Sequence, residues 1–222
     1  MSEGRQGTTR DDVEALRCLL ERHARLVGDF ELSSGVKSRF YFDGKRVTLS
    51  PRGSALVGRI LEPIVAATGA GAVGGLAIGA DPIALAVAVE SDRTGTNIPA
   101  FIVRPEKKGH GTRDAITSSF PVRESHADSE THHIQLIRPG LRVVVVDDVV
   151  TTGASIQKAI DVLKEAGCEV EAVVTLVTRP EGGETAQALR RDYRYISLYE
   201  CDEEGNLATT SEAEALFRSA VA

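Results

Sequence analysis

Two aspartates, Asp147 and Asp148, follow four consecutive valines in the stretch VVVVDDVVTTGAS, residues 143–155. A run of apolar β-branched residues reads as a buried strand, and carboxylates seldom close such a strand unless something pairs with them. Thr151, Thr152, Gly153 and Ser155 come directly afterwards. Hydroxyl donors, a glycine that lets the backbone approach, and the open first amides of a following helix together suit a phosphate monoester. No basic residue adjoins the acid pair. The pair can therefore accept hydrogen bonds from vicinal hydroxyls or hold Mg²⁺ through water. Phosphate and hydroxyls in this order outline a ribose 5-phosphate.

The flanking elements must place that stretch at the mouth of a sheet. A first helix is expected over about residues 11–27, with Thr9 as N-cap and Asp12 three residues later. DFEL (29–32), RFYFD (39–43) and KRVTL (45–49) read as short strands near an SSG turn. Ser50 caps, and Pro51 opens, a helix through about residue 67. A strand at 72–78 leads through Gly79 and Ala80 into a helix capped by Asp81 with Pro82 first, and a strand at 98–103 follows. After the LRVVVVDD strand comes a helix at about 154–166, with Ile156, Ala159, Ile160 and Leu163 on one face and Gly167 to stop it. Strands at 169–179 and 193–199 complete the core, and SEAEALFRSAVA makes a C-terminal helix. Continuous apolar strands alternating with amphipathic helices imply an α/β fold, a mostly parallel sheet covered on both faces. Ligands of such sheets bind beyond the carboxyl ends of the strands.

Composition narrows the function classes. A chain of 222 residues is one large domain or one domain with a small appendage. Its net charge of −6 argues against nucleic acid as a partner, which calls for a basic face. Cys18, Cys168 and Cys201 are widely spaced and fit thiols in a reducing compartment better than a disulfide or a metal site. The start, MSEGRQGTTRDD, has no apolar signal core. The apolar run at 70–89 is interrupted by Asp81, which would cost roughly 3 kcal/mol in a membrane-spanning helix. A cytoplasmic protein without membrane association is expected.

The 143–155 stretch resembles the phosphoribosyl diphosphate (PRPP) motif of type I phosphoribosyltransferases. The resemblance implies PRPP contacts from Asp147, Asp148, Val149, Val150, Thr151, Thr152, Gly153, Ala154 and Ser155, with the acid pair on the ribose hydroxyls. GDFELSSGVKSRFYFD (28–43) is similar to the N-terminal segment of orotate phosphoribosyltransferases, and so implies orotate contacts from the backbone at Tyr41 and Phe42, with Thr151 beside them. VRPEKKGHG (103–111) resembles the mobile catalytic loop of that family, with Arg104, Lys108 and His110 on its positions. A basic loop suits the chemistry, because pyrophosphate leaves while the ribose gains oxocarbenium character. Closure would also keep water from PRPP. TLVTRPEGG (175–183) is similar to the strand end where the family holds the orotate carboxylate, which points to Arg179. GGLAIGADP (74–82) resembles the pyrophosphate loop.

The resemblance spans about residues 11–200 and implies a type I phosphoribosyltransferase-like core at 51–200. A hood of helix and short strands at 1–50 would form part of the base pocket, and a tail helix would occupy 201–222. It further implies Mg²⁺ carried by PRPP and water near Asp147 and Asp148 rather than bound directly by protein ligands, and a homodimer with shared active sites. The reaction implied is transfer of ribose 5-phosphate from PRPP to orotate in UMP synthesis. The alternatives are the same transfer to a purine base and a non-catalytic PRPP-sensing regulator. Ser33, Gly79 and Pro105 stand where many members of the family have lysines, and Lys37 or Lys107 are the candidates to compensate. The segment 112–139 is longer than the usual connection and reads as a loop ending in a short strand at 132–137. His126, His132 and His133 within it lack the spacing of a metal site.

Overall fold

Apolar residues of strand β6 (Arg142–Val150) alternate between two cores. Val144 and Val146 join one cluster, whereas Val143 and Val145 join the other. A strand buried on both faces needs helices on both faces, and the computed structural model shows that arrangement. It describes residues 10–31, 37–105, 115–118, 136–179 and 184–219.

The main sheet has seven strands in the order β5-β4-β3-β6-β7-β8-β9. Strands β3 (Ala72–Leu76), β4 (Ala100–Val103), β6, β7 (Glu169–Thr178) and β8 (Arg194–Cys201) run parallel. Two short edge strands, β5 (Ile116–Ser118) and β9 (Leu207–Thr209), pair antiparallel with β4 and β8. Helices α3 (Pro51–Ala66) and α4 (Asp81–Thr94) contribute Leu56, Ile60, Ile83 and Val87 to the first core. Helix α5 (Ala154–Glu165) fills the second with its expected face, Ile156, Ala159, Ile160 and Leu163. Ser50 caps α3 as read, its Oγ accepting from the Gly53 amide at 3.1 Å.

The N-terminal region departs from expectation in two places. Helix α1 is Arg10–Leu19, and a single π-helical turn, Leu20–Ala24, delivers the chain into strand β1 (Arg25–Glu31). The longer helix loses to sheet pairing. Arg25, Leu26 and Val27 pair antiparallel with Phe42, Tyr41 and Phe40 of β2 (Lys37–Phe42), which turns Phe40 and Phe42 into the core. The segment KRVTL is not a strand. Its residues Lys45–Thr48 form the one-turn helix α2, closed by the Thr48 amide donating to Gly44 O at 2.9 Å. Val47 and Thr48 are neighbours and both are buried within that single turn.

Asp81 does not cap α4. It is the first helical residue, Ala80 holds the cap position without a side-chain bond, and Gly95 ends the helix at φ +78°. Strand β3 also stops at Leu76, short of 78; the Ala77 amide makes one last bond to β4, at Val103 O, before the chain turns. Helix α6 (Glu184–Asp192) and the two edge strands have no counterpart in the sequence reading. The tail is not helical throughout. Strand β8 runs to Cys201 and hairpins into β9, after which α7 (Ser211–Ser219) packs on its own core through fully buried Ala213. Thr210 Oγ1 accepts from the Ala213 amide and donates to Ser197 O, tying α7 to β8. The expected strand at 132–137 lies outside the described residues up to 135, and Leu136 and Ile137 are buried in a bend against the second core. Among the described residues no helix is long and apolar enough to cross a membrane.

Candidate active site

The carboxyl ends of β3, β6 and β7 open on one side of the sheet, and Asp147 and Asp148 lie there within β6, which continues to Val150. Both are nearly out of solvent, at 9% and 7% exposure. Each carboxylate folds back on the next amide: Asp147 Oδ1 accepts from Asp148 N, and Asp148 Oδ1 from Val149 N, both at 3.0 Å. Two glycines make room for the pair. A Cβ at Gly79 would lie 2.6 Å from Asp148 Oδ1 and 2.8 Å from Asp147 Oδ1, and one at Gly44 would lie 2.7 Å from Asp148 Oδ2. The Lys45 ammonium sits 2.9 Å from Asp43 Oδ1 and 3.7 Å from Asp148 Oδ2. Burial, reinforced by the neighbouring Asp148 carboxylate, pushes the Asp147 carboxyl up, to about 8.

That shift has a consequence for stability. Folded Asp147 keeps its proton where the unfolded chain has lost it, so the folded state binds more protons between the ordinary value of 3.8 and about 8. Stability therefore falls as pH rises through this window. Asp147→Asn cannot ionise yet still accepts from the Asp148 amide. Its melting temperature is expected to match wild type near pH 4 and to exceed it by several degrees, roughly 3–8 °C, at pH 8. Calorimetric Tm curves that stay parallel across this range contradict the assignment.

After β6 the chain turns through Thr151 and Thr152 into Gly153, the N-cap of α5. Gly153 has φ +82°, and a Cβ there would lie 2.8 Å from Leu189 Cδ1, so the turn admits only glycine without strain. The cap makes no side-chain bond, and Ala154 and Ser155 are exposed, leaving the start of α5 open to an anion. The Ala154 amide reaches Thr152 Oγ1 only at 3.4 Å.

The hood meets this mouth through Arg179, just past β7. Its amide donates to Val150 O at 2.9 Å. Its guanidinium is buried: one nitrogen donates to Ser38 Oγ at 3.0 Å, another to Phe40 O at 3.4 Å, and the group stacks 4.3 Å above the Phe40 ring. Phe42 is buried in the core edge-on to Phe40, while Tyr41 is exposed beside Phe30. Clefts flank this contact on two sides. One of about 580 Å³ is lined by Asp29, Phe30, Lys37, Ser38 and Arg39, and another of about 270 Å³ by Thr178, Arg179, Gln187 and Arg190 among others. Neither covers the acid pair.

The structure thus brings Arg179 against Val150, at the end of the strand that carries Asp147 and Asp148, and against Ser38 and Phe40 of β2, residues far apart in sequence. Arg104 follows β4, its amide bonded to Ala115 O at 2.8 Å. Lys107, Lys108 and His110 lie outside the described residues, as does Ser33. Gly44 and Lys45 escaped the sequence reading, because KRVTL carries strand-like residues and nothing local links it to residue 148.

Known proteins agree with this geometry. The phosphoribosyl transferase domain family matches residues 65–206. An orotate phosphoribosyltransferase from a Nostoc species is 43% identical over 176 residues, 78% of this chain and 77% of its own length. The chain belongs to the orotate phosphoribosyltransferase family. The Thermosynechococcus vestitus member is 44% identical over 81% of this chain and 84% of its own. Among solved structures, the orotate phosphoribosyltransferase of Mycobacterium tuberculosis in complex with PRPP is similar at 34% identity and a TM-score of 0.62, covering 84% of this chain and 94% of its own. Membership of the orotate phosphoribosyltransferase family also accounts for the sheet, whose mostly parallel order and helix-covered faces those structures share.

Proposed function

We propose that this chain transfers ribose 5-phosphate from PRPP to N1 of orotate, giving orotidine 5′-phosphate and pyrophosphate on the route to UMP. The observation that carries the reading is the buried acid pair running, within one strand-turn-helix unit, into the open start of α5. In this reading the 5′-phosphate rests on Thr151, Thr152, Gly153, Ala154 and Ser155, and Asp147 and Asp148 accept from the ribose hydroxyls. Orotate lies against the backbone at Tyr41 and Phe42, near Thr151, with its carboxylate toward Arg179. N1 of orotate attacks C1 as the bond to the pyrophosphate oxygen breaks, and Arg104, Lys108 and His110 neutralise the departing oxygens.

The site also fits Mg²⁺ delivered by the diphosphate. Among the described residues no group of three or more His, Cys, Asp or Glu side chains comes together to hold a metal, but the paired carboxylates can meet a hydrated ion through water. Bound there, Mg²⁺ supplies charge neutralisation on the diphosphate. A homodimer is part of the same proposal. Leu85 and Val89, one turn apart on α4, are both more than half exposed, an apolar face suited to a second copy.

The test is a panel of orotate, uracil, adenine, guanine and hypoxanthine with PRPP and Mg²⁺, read as pyrophosphate release. Orotate alone should support turnover, and preference for a purine overturns the reading. Arg179→Ala in the same assay should cut the orotate-to-uracil ratio of kcat/KM by roughly 10²-fold, because a carboxylate left unpaired in a closed site costs about 2–3 kcal/mol. The ratio cancels any loosening of the hood through Ser38 and Phe40, which affects both bases alike. An unchanged ratio moves carboxylate recognition away from Arg179.

A further inference from the structure

We propose that Lys45 is a positioning residue of the active site, holding the Asp148 carboxylate oriented toward the ribose and balancing its negative charge. The inference rests on the PRPP reading of the acid pair given above.

Two adjacent carboxylates shielded from water repel each other, and a cation beside one of them offsets that cost. Negative charge at Asp148 serves both the ribose hydroxyls and the developing oxocarbenium charge. The Lys45 ammonium is a cation in that place, 3.7 Å from Asp148 Oδ2. That separation is an ion pair rather than a hydrogen bond, so Lys45 acts through its field and leaves the Asp148 oxygens able to accept.

Three features hold the ammonium there. Asp43 Oδ1 grips it from the other side at 2.9 Å, and the Asp43 amide is itself tied to Ala24 O at 2.9 Å. Helix α2, which carries Lys45, is pinned by Val47 and Thr48, each 1% exposed. Gly44 then brings the start of α2 directly onto Asp148, where any Cβ would intrude at 2.7 Å. The side chain is two-thirds shielded, so solvent screens the pair less than at an open surface. Both acids raise the Lys45 pKa against the opposing effect of burial, so the group stays charged.

The experiment is a double-mutant cycle on the full chain with Lys45→Met, Lys45→Arg and Asp148→Asn, read as kcat and KM for each substrate. PRPP affinity is measured in parallel by calorimetry. Lys45→Met should lower kcat/KM for PRPP about tenfold or more while the KM for orotate changes less than about twofold, and Lys45→Arg should restore most of the loss. In the Asp148→Asn background Lys45→Met should cost less than about threefold, because the charge it served is gone. A purely structural lysine gives a different pattern: the Lys45→Met penalty would persist beside Asp148→Asn, and arginine would not rescue it. That pattern, or normal PRPP kinetics in Lys45→Met, overturns the assignment. Calorimetry separates the two layers. PRPP binding without turnover on orotate would overturn the base reading alone, and the coupling is then read in kcat with the base that does turn over; absence of coupling between Lys45 and Asp148 in kcat overturns Lys45.

Discussion

Asp148→Asn is expected to lower kcat by about 10²–10³-fold while changing PRPP affinity far less. Asparagine keeps the shape, and its Oδ1 can still accept from the Val149 amide as the aspartate does at 3.0 Å. What disappears is negative charge facing a ribose whose positive character peaks in the transition state. Only interactions stronger there than in the ground state raise kcat, so the loss falls on turnover. The surroundings enlarge the effect. Asp148 is 7% exposed and lies against Gly44 and Gly79, so solvent screens its charge little. Asp147→Asn should lose less, since burial and its neighbour already favour the neutral form of that carboxyl. Steady-state kinetics with PRPP varied at saturating orotate decide the matter. Normal turnover in both variants makes the pair structural.

Mixing two inactive variants, Lys108→Ala and Asp148→Asn, should restore activity to about a quarter of wild type after subunit exchange. The expectation follows from the proposed shared site. Arg104 leads out of β4, which lies one strand in from the sheet edge and two strands from β6. If Lys108 and His110 of one subunit close over Asp147, Asp148 and Thr151 of the other, a hybrid dimer collects both lesions in one site and leaves the second intact. Random exchange makes about half the dimers hybrids, each with one working site. Should the loop serve its own chain, every site carries a lesion and the mixture stays inactive. Native mass spectrometry that shows exchange without recovered pyrophosphate release therefore refutes the shared arrangement.

The local unit that carries the chemistry was legible from the sequence, because its parts adjoin one another. Apolar β-branched residues announce β6, Gly153 and the hydroxyls announce the turn, and the 3.6-residue spacing of Ile156, Ala159, Ile160 and Leu163 announces α5. Ser50 and Pro51 likewise marked the start of α3 with chemistry that acts within one helical turn. The alternation of such units was enough for a parallel sheet. Tertiary structure decided whatever depends on partners distant along the chain. The first helix stopped at Leu19 because β1 pairs with β2, and the β-branched Val47 and Thr48 sit buried in a helical turn against their strand propensity. Arg179 was placed at its strand end, but its seat on Ser38 and Phe40 is a contact across about 140 residues. The same holds for Lys45. Sequence spacing encodes the faces of single elements, whereas an ion pair between residues 45 and 148 exists only once α2 has been pressed against β6 by the burial of its neighbours.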